Sequence, residues 1–162
     1  MRDTAFSDLV LPPDGRQSET ARAIQRGALR YLAARGLVGV PEFCLASGRR
    51  ADIAALDAKG EVWVIEIKSS VGDFRADHKW TEYRPYCDRL FFAVGRDFPI
   101  HILPEDAGIL VADPFGAGVM REAPRYAMPG AARKALTLRF ARAAAGRLMG
   151  LMDPEALRAI AL

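Results

Sequence analysis

The residues best suited to chemistry in this sequence are two carboxylates and an amine, Asp52, Glu66 and Lys68. Glu66 and Lys68 end a run rich in Val, Ile and Trp, which is typical of a strand buried within a sheet. Because side chains alternate along a strand, both residues point to the same face. A carboxylate and an ammonium beside a buried strand are unfavourable unless they are paired or bound to a metal. The pattern therefore predicts a compensating partner close to both.

A predicted hairpin brings Asp52 to the same place. The segment 58–60 (Ala-Lys-Gly) fits a three-residue loop with glycine in the left-handed region, and this loop pairs Asp57 with Glu61. Counting back along the ladder puts Asp52 opposite Glu66, with their Cβ atoms roughly 4.5–5.5 Å apart. Two carboxylates at this distance repel each other unless a divalent cation lies between them.

This arrangement predicts a magnesium or manganese site that handles phosphate. Mg²⁺ binds oxygen ligands, takes one or two protein carboxylates and keeps several waters. We expect Asp52, Glu66 and the backbone carbonyl of Ile67 to be the ligands, and Asp52, Glu66 and Lys68 to be catalytic. Lys68 would orient the attacking water or neutralise charge in the transition state. The alternative is an exposed hairpin with a Glu–Lys rim, whose ion pairs are worth under about 1 kcal/mol.

Helices on both sides of a sheet are needed to position these residues. Helical spacing begins after Ser18, a candidate N-cap, and ends at Gly36. The remaining predicted elements are strands at 40–46, 50–56, 62–68, 88–94 and 108–112, a short strand that includes Val119, and helices at 73–83, after Pro129-Gly130 and from Pro154. We therefore predict an α/β fold with α-β-β-β-α-β order, one mixed sheet and extra C-terminal helices. Residues 1–17 are predicted to be a flexible leader and 18–162 a single domain.

Composition adds weaker expectations about the partner and the compartment. Apolar stretches are interrupted by charge well before the ~20 residues that a membrane span needs, so no membrane partner is expected. Cys44 and Cys87 are far apart and lack a CxxC motif, which favours reduced thiols in a cytoplasmic protein.

The distribution of charge indicates a polyanion partner. The net charge is +3, but residues 121–162 carry eight basic and three acidic side chains, +5 in all, which leaves −2 for the rest. A basic end on a near-neutral body suggests a polyanion such as DNA, although a GC-rich genome, which favours Arg over Lys, would also produce it. The candidate DNA contacts are Arg49 and Arg50 beside the site, and Arg139 and Arg142 on the C-terminal basic helices at about 131–162.

On these residues, the sequence resembles the PD-(D/E)xK nuclease superfamily, and within it the MmcB-like family of bacterial DNA-repair-associated proteins. The matching stretches are 48–52 (Gly-Arg-Arg-Ala-Asp), 66–70 (Glu-Ile-Lys-Ser-Ser), 73–80 (Asp-Phe-Arg-Ala-Asp-His-Lys-Trp), Tyr83, 87–88 and 107–113, and the resemblance covers most of 18–155. Ala51 stands where the motif has proline. The resemblance implies a restriction-endonuclease-like three-layer sandwich, a DNA partner in repair, a Mg²⁺-dependent endo- or exodeoxyribonuclease, and a nucleoid-associated bacterial protein.

The resemblance also suggests accessory residues. Many superfamily members have a glutamate on the first helix, and Glu19 is the counterpart here. Some branches have Gln-x-x-x-Tyr on the second helix, where this chain has Lys79 and Tyr83; on a helix the two would share one face. Three functions stay open: a metal-dependent nuclease, a non-catalytic DNA-binding module that serves as a repair accessory, and a domain that binds a small ligand or a partner. A repair-protein partner or a homodimer is also possible in each case.

Overall fold

The described part of the chain is Leu9 and residues 17–161, in a computed structural model. The leader predicted over 1–17 lies outside this part, apart from Leu9 and Gln17. Within the described residues no helix is long and apolar enough to cross a membrane. Cys44 and Cys87 are not joined by a disulfide bond; Cys87 is buried and Cys44 is half-buried.

Six strands of the described chain form one open mixed sheet, in the spatial order of the sequence. They are β1 (Val38–Cys44), β2 (Arg50–Leu56), β3 (Val62–Lys68), β4 (Arg89–Val94), β5 (Gly108–Asp113) and β6 (Gly116–Arg121). β1, β2 and β3 are antiparallel neighbours, β4 and β5 continue parallel to β3, and β6 returns antiparallel. The predicted α/β class with a mixed sheet is confirmed.

The helices cover the two faces of this sheet. They are α1 (Glu19–Ala34), α2 (Val71–Ala76), α3 (Gly130–Met152) and α4 (Pro154–Arg158), with 3-10 segments at Trp80–Tyr86, Ile100–Ile102 and Ala159–Ala161. α1 packs on the face that carries Trp63, Ile65 and Ile67. α3 and the first 3-10 segment pack on the opposite face, against Val62 and Val64. β3 is therefore buried on both sides, as its apolar sequence predicts.

The long first helix begins and ends where its sequence signals indicate. The Ser18 hydroxyl accepts a hydrogen bond from the Ala21 N–H at 3.1 Å, which caps the first turn. Gly36, with φ of 76°, follows the last turn. Midway along α1, Gly27 lies against the β5–β6 connection so closely that a Cβ there would be 1.9 Å from the carbonyl oxygen of Asp113. The absence of a side chain at Gly27 allows this crossing.

Two predicted elements, β1 and the helix at 73–83, are misplaced, and each error has a local cause. β1 begins and ends two residues earlier than the predicted 40–46. Leu45 belongs instead to a tight turn, because its carbonyl accepts from Gly48 N–H at 2.9 Å and Gly48 has a φ of 82°.

The helix predicted over 73–83 is two separate pieces. α2 ends at Ala76 because Asp77 is extended, with φ −95° and ψ 107°. The chain then forms the 3-10 segment Trp80–Tyr86, which contains Pro85 rather than stopping before it. The fixed φ of proline is compatible with a 3-10 turn.

Candidate active site

Asp52 and Glu66 meet where the β2–β3 ladder ends. The ladder pairs Leu56 with Val62 and continues to Ile53 opposite Ile65, which confirms the predicted register. At the next pair, Asp52 and Glu66, hydrogen bonds to side-chain carboxylates replace the backbone–backbone bonds of the ladder. The Asp52 N–H donates to Glu66 Oε2 at 3.2 Å, and the Ile67 N–H donates to Asp52 Oδ2 at 2.7 Å. Each carboxylate is therefore fixed by the backbone of the neighbouring strand.

The loop that sets this register also has the predicted form. Gly60 has a φ of 82°, and its N–H donates to the Asp57 carbonyl at 3.1 Å. The Asp57 N–H donates to the Glu61 carbonyl at 3.1 Å, so these two residues pair as expected. A short-range glycine turn thus determines which carboxylates meet at the far end of the hairpin.

Lys68 lies beside the carboxylates but bonds to another acid. Only 4% of this residue is exposed. Its Nζ lies 2.5 Å from Asp77 Oδ2 and 4.0 Å from Glu66 Oε1. Burial acts to lower the pKa of Lys68, but the bond to Asp77 and the charges of Glu66 and Asp77 outweigh it and raise that pKa. The amine is therefore held as an ammonium ion.

The two carboxylates are held in an environment that disfavours their charge. Burial raises the pKa of Asp52 to about 6, although the Ile67 N–H bond opposes the shift. Burial also raises the pKa of Glu66 well above its usual range, and the neighbouring Asp52 charge adds to this. A divalent cation would reverse both effects, because it favours two ionised carboxylates.

A cleft of about 290 Å³ opens onto this pair. Its walls come from the start of α1, the ends of β2 and β3, and α2; the lining residues are Gln17, Ser18, Ala21, Asp52, Glu66, Ile67, Lys68, Ser69 and Asp73. Among the described residues, no group of three or more His, Cys, Asp or Glu side chains is placed to hold a metal ion. The donors that fit are two carboxylates, the Ile67 carbonyl and water. Mg²⁺ accepts such a set because it keeps several waters.

None of the accessory residues suggested by the resemblance lines this cleft, but Tyr83 lies close enough to the acidic pair that burial and the charges of Glu66 and Asp52 raise its pKa. Glu19 is exposed at the start of α1, and its neighbours Gln17 and Ser18 line the cleft instead. Lys79 is exposed, whereas Tyr83 is buried and donates its hydroxyl to the Arg50 carbonyl at 3.1 Å. Lys79 and Tyr83 do not share an α-helical face, because Lys79 precedes a 3-10 segment.

The arginines beside the site are paired with acids. Arg49 makes a two-bond contact with Glu82, at 2.6 and 3.0 Å. Arg50 Nε lies 2.6 Å from Glu42 Oε2, with half of the Arg50 side chain exposed. Both guanidinium groups are at the surface and would have to exchange these acids for phosphate.

Much of the basic C-terminal segment stabilises the protein itself. At least five of its eight basic side chains bind protein groups: Arg121 and Arg147 bind backbone carbonyls, and Arg125, Arg133 and Arg158 bind Glu61, Asp88 and Glu155. Arg142 is exposed and Arg139 is half-buried on α3. The charge count therefore overstates the surface available to DNA.

Sequence reasoning missed Asp77 and Glu42. Asp77 follows the unexpected end of α2; the rule that a buried ammonium needs a partner indicates that an acid lies near Lys68, but not which acid. The β1–β2 register pairs Pro41 with Ile53 and Phe43 with Ala51, which places Glu42 beside Asp52. Glu42 has a left-handed φ of 50°, which interrupts the pairing at this point.

The fold and the site together define a class of protein: an α/β domain with a six-stranded mixed sheet and an acidic pair, with an amine, at the end of its central strands. A family model described as DNA repair protein MmcB-like matches residues 10–155. The chain belongs to this MmcB-like family of DNA repair proteins. Among solved structures, it is similar to the SPO1766 protein of unknown function from Silicibacter pomeroyi, with a TM-score of 0.82 and 46% sequence identity over 86% of this chain and 95% of that chain. No curated protein matches the chain.

Proposed function

We propose that this protein is a metal-dependent DNA phosphodiesterase that acts in DNA repair, on a restriction-endonuclease-like core of the PD-(D/E)xK type. The observation that carries the proposal is the convergence of Asp52, which is partly buried, and Glu66, which is buried, both with raised pKa values. A protein that only binds DNA would gain nothing from two such carboxylates in the path of phosphate. The family's description as DNA repair proteins supports the choice of substrate.

Each residue has a defined role in this proposal. Asp52, Glu66 and the Ile67 carbonyl would hold Mg²⁺ or Mn²⁺. The bound ion supplies a water of lowered pKa and offsets charge on the phosphoryl oxygens. The Lys68 ammonium would hold that water or the developing negative charge by hydrogen bonding. Arg49 and Arg50, at the surface beside the site, would contact flanking phosphates.

The test is a cleavage screen on single-stranded, duplex, flapped and branched DNA with Mg²⁺ or Mn²⁺. We expect cleavage that EDTA abolishes and that Asp52→Asn or Glu66→Gln lowers roughly a hundred- to ten-thousand-fold, since a metal effect of several kcal/mol is lost at about 1.4 kcal/mol per factor of ten. Asp97→Asn and Glu105→Gln are matched controls, because both acids are exposed and distant in sequence from the site. Cleavage that survives in the site variants would identify a contaminating nuclease.

A non-catalytic DNA-binding module is the second candidate, favoured by the small donor set of two carboxylates among the described residues. It predicts binding without cleavage, with a log–log salt slope near −0.9 per phosphate neutralised on duplex DNA. Glu66→Gln would then leave affinity unchanged or increase it, because the change removes a negative charge near the phosphate. Glu66→Gln would thus strongly lower cleavage by a nuclease but preserve or strengthen DNA binding by a non-catalytic module, and this difference separates the two functions.

A further inference from the structure

The Lys68 ammonium has two acids within reach and contacts only one closely. Its distance to Asp77 Oδ2 is 2.5 Å, and its distance to Glu66 Oε1 is 4.0 Å. Lys68 and Glu66 come from the same strand, whereas Asp77 comes from the segment that follows α2. The amine is therefore drawn away from the carboxylate pair and toward the segment that follows α2.

Asp77 is itself held in place. Its Oδ1 accepts a hydrogen bond from the Lys79 N–H at 2.8 Å, and its own N–H donates to the Phe74 carbonyl at 3.2 Å. Its second carboxylate oxygen is left to Lys68. Because Asp77 ends α2, the same bonds fix both the end of the helix and the position of the charge.

A buried ammonium without Asp77 would turn to the nearest remaining acid, because an unpaired buried charge is strongly unfavourable. That acid is Glu66. A close Lys68–Glu66 ion pair would neutralise the carboxylate that the divalent cation needs, and two cations would compete for the same oxygens.

We propose that Asp77 is a positioning residue: it holds the Lys68 amine off Glu66, so that the Asp52–Glu66 pair stays available to a divalent cation. The inference rests on the proposed metal site, and it adds a residue that sets the affinity of that site for the divalent cation.

A double-mutant cycle on Mn²⁺ binding, read by titration calorimetry, tests this. Asp77→Asn keeps the acceptor for Lys79 N–H and removes the charge that holds the amine; we expect it to weaken Mn²⁺ binding about 10–100-fold, as is typical for residues behind metal ligands. In the Lys68→Met background the same change should alter affinity less than threefold, because no amine remains to compete.

Asp73→Asn is the matched control. Asp73 lines the cleft and bonds to Ser69, so this change removes an equal charge from the same helix without breaking a contact to Lys68. We expect its effect on Mn²⁺ affinity to be smaller than that of Asp77→Asn. If Asp77→Asn does not fold, Asp77→Glu replaces it in the same cycle, since the added methylene displaces the carboxylate.

The outcomes separate the two proposals. If the intact protein binds Mn²⁺ no better than Asp52→Asn does, the metal site itself is wrong. If the intact protein binds Mn²⁺ and the Asp77 change has no effect, or an equal effect with and without Lys68, only the role of Asp77 is overturned.

Discussion

Asp52 and Glu66 destabilise the metal-free fold at neutral pH, and the sign of the effect follows from their pKa values. Both pKa values are raised in the folded state, that of Asp52 from 3.8 to about 6. The folded protein therefore binds protons more tightly than the unfolded chain does. The stability that this pair contributes is fully present below about pH 4 and is lost as pH rises through 6 and above.

We therefore predict that Glu66→Gln and Asp52→Asn stabilise the metal-free protein at pH 7.5 by roughly 1–3 kcal/mol, and much less at pH 5. The measurement is urea unfolding in EDTA at the two pH values, with Glu105→Gln as the control for loss of one acid. Mg²⁺ should stabilise the intact protein and not the variants. A site variant that is less stable than the intact protein at pH 7.5 would contradict the raised pKa values.

Among individual charged residues, those on regular strands could be placed from the sequence, whereas those on irregular backbone could not. Asp52, Glu66 and Lys68 could be found because alternation and one glycine loop determine where their side chains point. Asp77 and Glu42 could not, since their positions depend on the end of a short helix and on a left-handed residue within a strand. No local pattern in the sequence marks either conformation.

At the level of elements, one ion pair fastens α3 to the sheet. Asp88 is fully buried at the start of β4, and both of its oxygens accept bonds from Arg133 at 2.7 Å. It also accepts the N–H groups of Val62 at 2.8 Å and Met128 at 3.0 Å. Burial acts to raise its pKa, but these bonds lower the pKa of Asp88 to about 2.

Removal of the arginine should be costly, because it leaves Asp88 buried without its cation. We predict that Arg133→Ala lowers the free energy of unfolding at pH 7 by roughly 3–5 kcal/mol in urea titrations. Arg142→Ala, an exposed change on the same helix, should stay within about 0.5 kcal/mol. Equal effects of the two changes would mean that the Asp88 contact does not anchor the helix.

The bounds of strands and helices were predicted best where one hydrophobic periodicity dominates the local sequence. The bounds of β2 and β3 agree with the predicted 50–56 and 62–68. β1 and the helix at 73–83 were misplaced because turn bonds at Leu45 and an extended Asp77 overrode the local preference. Both are short-range turn conformations, which a search for strand or helix periodicity does not resolve.

At the scale of the whole molecule, the first helix crosses the last two strands tightly at Gly27. A methyl group there would lie 1.9 Å from the Asp113 carbonyl oxygen and 2.4 Å from that of Gly116. Alanine gains about 1 kcal/mol over glycine within a helix, but a clash with two backbone carbonyls cannot be relieved by a side-chain rotation.

We therefore expect Gly27→Ala to destabilise the protein by about 1–3 kcal/mol despite its better helix propensity, as a lower Tm in thermal unfolding. Gly95→Ala is the control, since a Cβ at Gly95 has no neighbour within 4 Å. An unchanged or higher Tm for Gly27→Ala would show that α1 can move away from the hairpin at little cost.

The tight crossing at Gly27 makes the α1 wall of the cleft rigid, whereas the α2 wall is loosely packed. Gln17 and Ser18 stand at the start of a helix that is locked against the sheet, whereas none of the six residues of α2 is buried. Packing of this kind favours motion on the α2 side. Because Lys68 belongs to β3 and Asp77 to the segment after α2, a displacement of α2 would separate this ion pair and leave the amine free to turn toward Glu66.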